Sequence, residues 1–200
     1  MDTVSLILAI LLGLGLSAST GLNTFLPLLL LSAAARFHVA GIELGEKFQW
    51  LTSDVAMIVL IVACIIEIIA DKVPAVDHFL DSIATFVRPV AGAIAAAAVF
   101  TDVDPVVAAL LGLIIGAPTS LGFHTLKAGG RVASSAATFG CANPIISLIE
   151  DIVSFVLTVV AIFSPIFVPL LLIAIAWALW AFIKRLRSSN VPTASARSTP

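Results

Sequence analysis

The chain has 200 residues, 60% of them hydrophobic and 11% charged, where a soluble domain carries roughly 25% charged residues. That much apolar surface exceeds what one soluble core of this length hides, so hydrocarbon is the expected surrounding of most of the chain. The net charge of −2 gives no basic field for a nucleic acid, and no stretch interleaves Lys or Arg with aromatics as a stacking surface would need, which excludes a nucleic-acid binder.

In chain order, eight apolar segments are predicted, at roughly 3–18, 21–37, 51–70, 87–101, 104–117, 119–138, 144–162 and 165–184. A hydrocarbon core needs about 20 helical residues per crossing, so several are short. The pairs 3–37 and 104–138 are each interrupted by Gly, Ser, Thr or Pro and read either as two short spans or as one re-entrant hairpin. Irregular backbone at membrane depth is tolerated only where protein or a wet cavity satisfies its N–H and C=O groups.

The first segment imitates a signal peptide, Val4 to Leu16 being followed by Ser17, Ala18 and Ser19, but Asp2 stands where a positive residue belongs, which favours a retained helix. The break in the first pair, Gly15-Leu-Ser-Ala-Ser19-Thr-Gly-Leu-Asn23-Thr, places small and hydroxylated residues before a helix whose first N–H groups are free, a polar site with Ser19 and Asn23 as ligands. The competing reading is helix packing. In the third segment Glu67 follows sixteen mostly apolar residues, and a carboxylate there is costly unless paired or protonated, so it is a functional candidate. Asp71, Asp77 and Asp81 follow, with His78 among them and with Lys72 and Arg88 as counter-charges; such a set suits a hard cation of undetermined identity or a proton relay. For Asp77 and Asp81 a solvated acidic loop is the plainer reading. The fourth segment offers a smooth surface, Ala95 to Ala98, for packing on other membrane proteins.

The second pair repeats the small-residue break as Gly116-Ala-Pro-Thr-Ser120-Leu-Gly-Phe-His124-Thr, with Gly112 and Gly116 forming a G-x-x-x-G spacing. Beyond it Lys127, Gly129, Gly130, Arg131, Ser134 and Ser135 suggest an aqueous lining or a headgroup contact, unless the helix ends near Leu126 and they form a loop. Glu150 and Asp151 in the seventh segment are partners for Lys127 or Arg131. The eighth ends on Trp177 and Trp180 followed by Lys184, Arg185 and Arg187, a stop signal, and 188–200 is expected to be a disordered tail.

The two halves resemble each other. A shift of 101 positions sets Gly15, Ser19, Gly21 and Thr24 against Gly116, Ser120, Gly122 and Thr125, and Asn23 against His124; a further local alignment sets Glu67 against Glu150. The expected organisation is one all-α transmembrane domain over 1–187, a polytopic bundle of about eight short or broken helices in an internal two-fold repeat, about 3–101 and 104–185. Chance is the alternative, since Gly, Ser and Leu abound in membrane helices. If all eight segments cross and both termini face the cytoplasm of a bacterial inner membrane, Arg36, Lys47, Lys127, Arg131, Lys184, Arg185 and Arg187 gather inside and Lys72 and Arg88 stay outside, a positive-inside pattern.

Catalytic signatures are missing: His38, His78 and His124 have no H-E-x-x-H spacing, and neither a G-x-S-x-G elbow nor a phosphate loop occurs. Neither an enzyme nor a cofactor is expected. Cys64 and Cys141 read as small packing residues. The run Glu67-x-x-x-Asp71-Lys72-x-Pro74-x-x-Asp77-His78, then Thr85-Phe-x-Arg88-Pro89-x-x-Gly92, with the earlier Gly21-Leu-Asn23-Thr-Phe-Leu-Pro27, resembles a bacterial and plastid membrane family, domain of unknown function 4126, over nearly the whole chain except the tail. The resemblance implies a small multipass fold and brings no substrate or catalytic residue with it.

From the residues, the expected function is a transporter or channel for a small solute or ion, acting as a homo-oligomer in the lipid bilayer because eight short helices enclose little volume alone. Substrate would sit between the repeats near Ser19, Asn23, Ser120 and His124, with Glu67 and Glu150 as coupling carboxylates, Asp71 beside them, and Arg88 or Arg131 as counter-charge. The rival is a non-transporting membrane scaffold or a lipid-handling protein.

Overall fold

The computed structural model describes residues 2–139 and 141–188, and their side chains except at 74–81, 137, 179, 182–183 and 186–188. Eight α-helices follow one another: α1 (Thr3–Leu22), α2 (Phe25–Arg36), α3 (Asp54–Ala70), α4 (Pro74–Ala98), α5 (Pro105–Leu111), α6 (Ala117–Thr138), α7 (Asn143–Phe163) and α8 (Val168–Ser188), and the described residues include no strand. Their starts are written locally. Asp2, Ser53 and Asp104 accept from the amides of Ser5, Ala56 and Val106 at 2.9, 3.2 and 2.8 Å, and Pro stands in the first turn of α4, α5, α6 and α7.

Of the two interruptions predicted, one is a break and the other is not. Between α1 and α2 Asn23 turns to an extended backbone (φ −136°, ψ 124°) and the chain reverses. The segments 104–117 and 119–138 instead run on through a π turn at Gly112–Gly116 as one rod, Pro105–Ala136. The wide turn accommodates Pro118, which lacks an N–H for the helical ladder. The helix does not end near Leu126, so Lys127 and Arg131 are helical residues. α4 also begins at Pro74, well before the expected 87, which draws the charged stretch into a helix. Asp77, His78 and Asp81 lie outside the described side chains, and the predicted tail beyond 188 lies outside the described residues.

α1 is central. Gly15 lies against Ala161 and Val168, while Ser19 and Asn23 bond to Ser154 and Asp151, so α7 runs antiparallel to it. Gly13 meets Ala96 and Ser17 reaches the Gly92 carbonyl at 2.9 Å, so α4 does too. α4 and α6 approach through glycine: a Cβ on Gly92 would fall 2.5 Å from that of Ser120 and 2.8 Å from the Gly116 carbonyl oxygen. Arg36 pairs with Asp54 at one end of the α2–α3 pair, and Thr24 meets Glu67 at the other. α8 starts with Val168 beside Gly15 and runs to Ile175 and Ala178 near Leu22 and Lys127, parallel to α1. Taking α5 and α6 as one rod, the chain makes seven passes with six reversals of direction, so it starts at one end of the bundle, the N face, and finishes at the other, the C face.

The side-chain distribution is that of a membrane protein. Arg88 and Lys127 are among the largest fully buried side chains, while Ile58, Ile114, Leu170 and Ile173 face outward, the reverse of a water-soluble bundle. α1, α7 and Pro105–Ala136 are long and apolar enough to cross a bilayer. Toward the N face the interior is an apolar cluster that includes Leu12, Leu16, Leu28, Leu31, Ala95 and Ile162. Ala95 to Ala98, expected to be a surface for other proteins, are buried in this chain's own core.

Candidate functional site

A helix that stops inside a bundle leaves carbonyls at its C-terminus and N–H groups at the next N-terminus, with partial charges of opposite sign. At the α1–α2 break both sets are met by ionised side chains. The Glu67 carboxylate, from the last turn of α3, accepts from the Thr24 amide at 2.9 Å, the Thr24 hydroxyl at 2.7 Å and the Phe25 amide at 3.1 Å. Asn23 Oδ1 takes the Leu26 amide at 3.0 Å. On the carbonyl side, Lys127 Nζ donates to Leu22 O at 2.8 Å and Arg88 Nη1 to Gly21 O at 3.2 Å. The free N–H groups expected to form a polar site at the start of α2 are thus taken by the chain's own carboxylate.

Arg88 joins this break to α6. Its Nε donates to the Thr24 hydroxyl at 3.3 Å, its Nη2 lies 3.4 Å from Glu67 Oε1, and its Nη1 lies 2.6 Å from His124 Nδ1. Guanidinium only donates, so Nδ1 is the acceptor, and Nε2 faces the Thr85 hydroxyl at 3.0 Å. Toward the C face a second group forms. Asp71 Oδ2 lies 3.1 Å from both Lys127 Nζ and Arg131 Nη2, and Glu150 Oε2 lies 2.8 Å from Arg131 Nη2 and 3.4 Å from Lys127. A third set links Lys72 to Asp151 at 3.0 Å and to Ser147 at 2.8 Å, and Asp151 accepts from Asn23 Nδ2 at 2.9 Å. Four carboxylates, Glu67, Asp71, Glu150 and Asp151, therefore meet four cations, Lys72, Arg88, Lys127 and Arg131, and the cluster carries no net formal charge.

Seven of the nine residues expected to bind the solute or ion come together here, Asn23, Glu67, Asp71, Arg88, His124, Arg131 and Glu150, joined by Lys72, Lys127 and Asp151, which the sequence offered as their charge partners. The pairing of Glu67 with Arg88 and of Glu150 with Arg131 follows the proposed division into carboxylates and counter-charges. Ser19 and Ser120 lie nearer the N face and bond to the backbone, Ser19 to Gly15 O at 2.9 Å and Ser120 to Arg88 O at 2.8 Å. Thr24 and Thr85 were named only in the repeat and in the family motif, not as site residues, and Ser147 was not named. A signal existed in α7, where Asn143, Ser147, Glu150, Ser154 and Thr158 recur at three and four residues along one buried face. Among the described residues no group of three His, Cys, Asp or Glu side chains converges as a metal site.

Two apolar clefts flank the cluster. One of about 250 Å³ lies between α6, α7 and α8, where Gly130, Ile146, Val153 and Ile175 lead to Lys127 and Glu150. The other, about 270 Å³, lies between α2, α3 and α4, where Phe25, Ile66, Ile83 and Val87 lead to Thr24 and Glu67. No curated protein and no solved structure matches the chain. A family does, the domain of unknown function DUF4126, which matches residues 10–185 and to which this chain belongs.

Proposed function

We propose that the protein is a membrane transporter for a small solute or ion, not an enzyme, in which the buried cluster couples movement of the solute to movement of a proton. The observation that carries this reading is eight paired charges around a helix break, all of them buried except the half-exposed Lys72. Apolar residues of similar volume serve stability as well as a buried ion pair, or better, so a purely structural protein has no need of such a cluster. In a membrane protein, buried ionisable groups mark ion pathways and proton relays. A proton taken up by Glu67 would remove the counter-charge of Arg88 and the acceptor of the first α2 amides together, and would let the break rearrange. The protein acts as a homo-oligomer, on the argument that one copy encloses little volume.

The test uses purified protein in liposomes that enclose a pH-sensitive dye, with proton uptake driven by an imposed potassium diffusion potential and a panel of sugars, amino acids and inorganic ions supplied in turn. Uptake above that of protein-free liposomes is expected with at least one solute, and it is lost in Glu67→Gln, which keeps the size of the side chain at the break but has no carboxylate to take up a proton. Wild-type protein that moves no protons with any solute overturns the reading. The two clefts support a second reading, a lipid-handling protein, since apolar walls ending at charged groups suit an amphiphile; transbilayer movement of a fluorescent phospholipid in the same liposomes tests it.

For orientation, seven alternating passes put the termini on opposite faces. The positive-inside rule then assigns the C face to the cytoplasm of a bacterial inner membrane, with the N-terminus outside, in place of the two cytoplasmic termini expected when 104–117 and 119–138 were counted as separate crossings.

A further inference from the structure

The interior differs in kind on the two sides of the cluster. Toward the N face it is apolar, Leu12, Leu16, Leu28 and Leu31 among its members. Toward the C face polar side chains continue outward along the same buried faces of α6 and α7: Ser134 one turn beyond Arg131, and Asn143 one turn beyond Ser147. The Lys72 side chain, held by Ser147 and Asp151, is 31% exposed, so this region already touches the surface.

Two atoms here have no partner among the described residues. Ser134 is 1% exposed and its hydroxyl bonds to nothing; Asn143 is 5% exposed, and its Nδ2 reaches Ser135 Oγ at 2.9 Å while its Oδ1 is unmatched. Turning the amide over does not help, because it exchanges an orphaned acceptor for an orphaned donor. A buried polar group without a partner costs about 1–3 kcal/mol, and such groups are rare enough to call for a ligand. Both residues lie at the C-face end of the helical faces that carry Lys127, Arg131 and Glu150.

We propose that Ser134 and Asn143 bind water at the mouth of a one-sided aqueous inlet, which brings water and protons from the C face to Asp71 and Arg131, while the apolar core closes the bundle toward the N face. This deepens the transport reading by giving the proton its side of access, but the inlet can be tested without measuring transport.

In a Cys141→Ser background, Ser134→Cys and Asn143→Cys are exposed to a membrane-impermeant thiol reagent in lipid nanodiscs, beside Arg185→Cys at the surface and Leu16→Cys in the apolar core. Both test positions are expected to react at least about tenfold faster than position 16, since thiol reactivity follows access; rates no faster than at position 16 overturn the inlet. The second measurement is the unfolding temperature of Ser134→Ala. Deleting a dry, unpaired hydroxyl raises Tm by about 2–4 °C for each kcal/mol recovered in a chain of this size, whereas deleting a hydrated one leaves Tm unchanged or lowers it. A rise overturns the proposal, and no change or a fall supports it. Labelling without proton uptake in liposomes keeps the inlet and removes the transport reading; uptake without labelling does the reverse.

Discussion

At the scale of single residues, the cluster is held by neutralisation. An ionised group taken from water loses several kcal/mol of solvation, which only close partners offset, so removing one member leaves a bare charge behind. Arg131 serves Asp71 and Glu150 together, at 3.1 and 2.8 Å. Arg131→Met should therefore lower stability by about 3–5 kcal/mol, and adding Glu150→Met should restore a large part of it, because the double variant removes one charge of each sign. Denaturant unfolding in detergent micelles measures all four proteins of the cycle. Losses that simply add would mean that the two side chains are not coupled, against the geometry. Asn23 works at the same scale by joining two roles, its amide nitrogen on Asp151 and its oxygen on the Leu26 amide. Asn23→Leu should cost about 2–4 kcal/mol, a lost helix cap plus a carboxylate short of one donor.

At the scale of elements, helix contacts are decided by where glycine is crowded and where it is not. A Cβ on Gly116 would lie 2.8 Å from the Gly92 carbonyl carbon and 2.9 Å from Ala93 Cα, both backbone, whereas a Cβ on Gly129 would meet nothing within 4 Å. Gly116→Ala should force α4 and α6 apart at a cost of about 1–3 kcal/mol, while Gly129→Ala should be neutral or stabilise by about 0.5–1 kcal/mol through helix propensity; thermal unfolding of the pair reads the contrast. The same elements show what a sequence discloses. Glu67, Asp71, Arg88 and Arg131 were legible because a charge among apolar residues is conspicuous and its partners are few. The break at Asn23 was legible from its run of small residues, but the equivalent run at Gly116 produced a π turn in an unbroken rod, because small residues permit a break without compelling one. The polar stripes of α6, Ser120, His124, Lys127, Arg131 and Ser134, and of α7, Asn143, Ser147, Glu150 and Ser154, which meet at Glu150, were present as three- and four-residue spacings. Read residue by residue, they gave candidates and not a surface. Which side of the cluster is sealed was not legible, since Leu12, Leu31 and Ile162 are far apart in the chain and only packing assembles them.

For the whole molecule the open question of physical consequence is which face meets the cytoplasm. The C face holds the half-exposed Lys72 and the Lys184, Arg185 and Arg187 end of α8, against Arg36 and Lys47 at the N face. The N face in turn carries the exposed acids Asp2, Glu43, Glu46, Asp54, Asp102 and Asp104; hydrogen bonds from Ser5 hold the Asp2 carboxyl below the usual carboxylate range, so it stays charged. Lys and Arg near membrane-spanning ends resist translocation while acids contribute little, and this supports the proposed orientation with the basic end in the cytoplasm. The chain supplies its own reporter. Cys141 is exposed in the α6–α7 connection at the C face, whereas Cys64 is buried, so an impermeant thiol reagent reads one position without engineering. In intact cells Cys141 should stay unlabelled until the membrane is permeabilised, and in inverted membrane vesicles it should label directly. Labelling in intact cells would reverse the orientation, put the aqueous inlet on the outer side, and require that protons enter the cluster from outside.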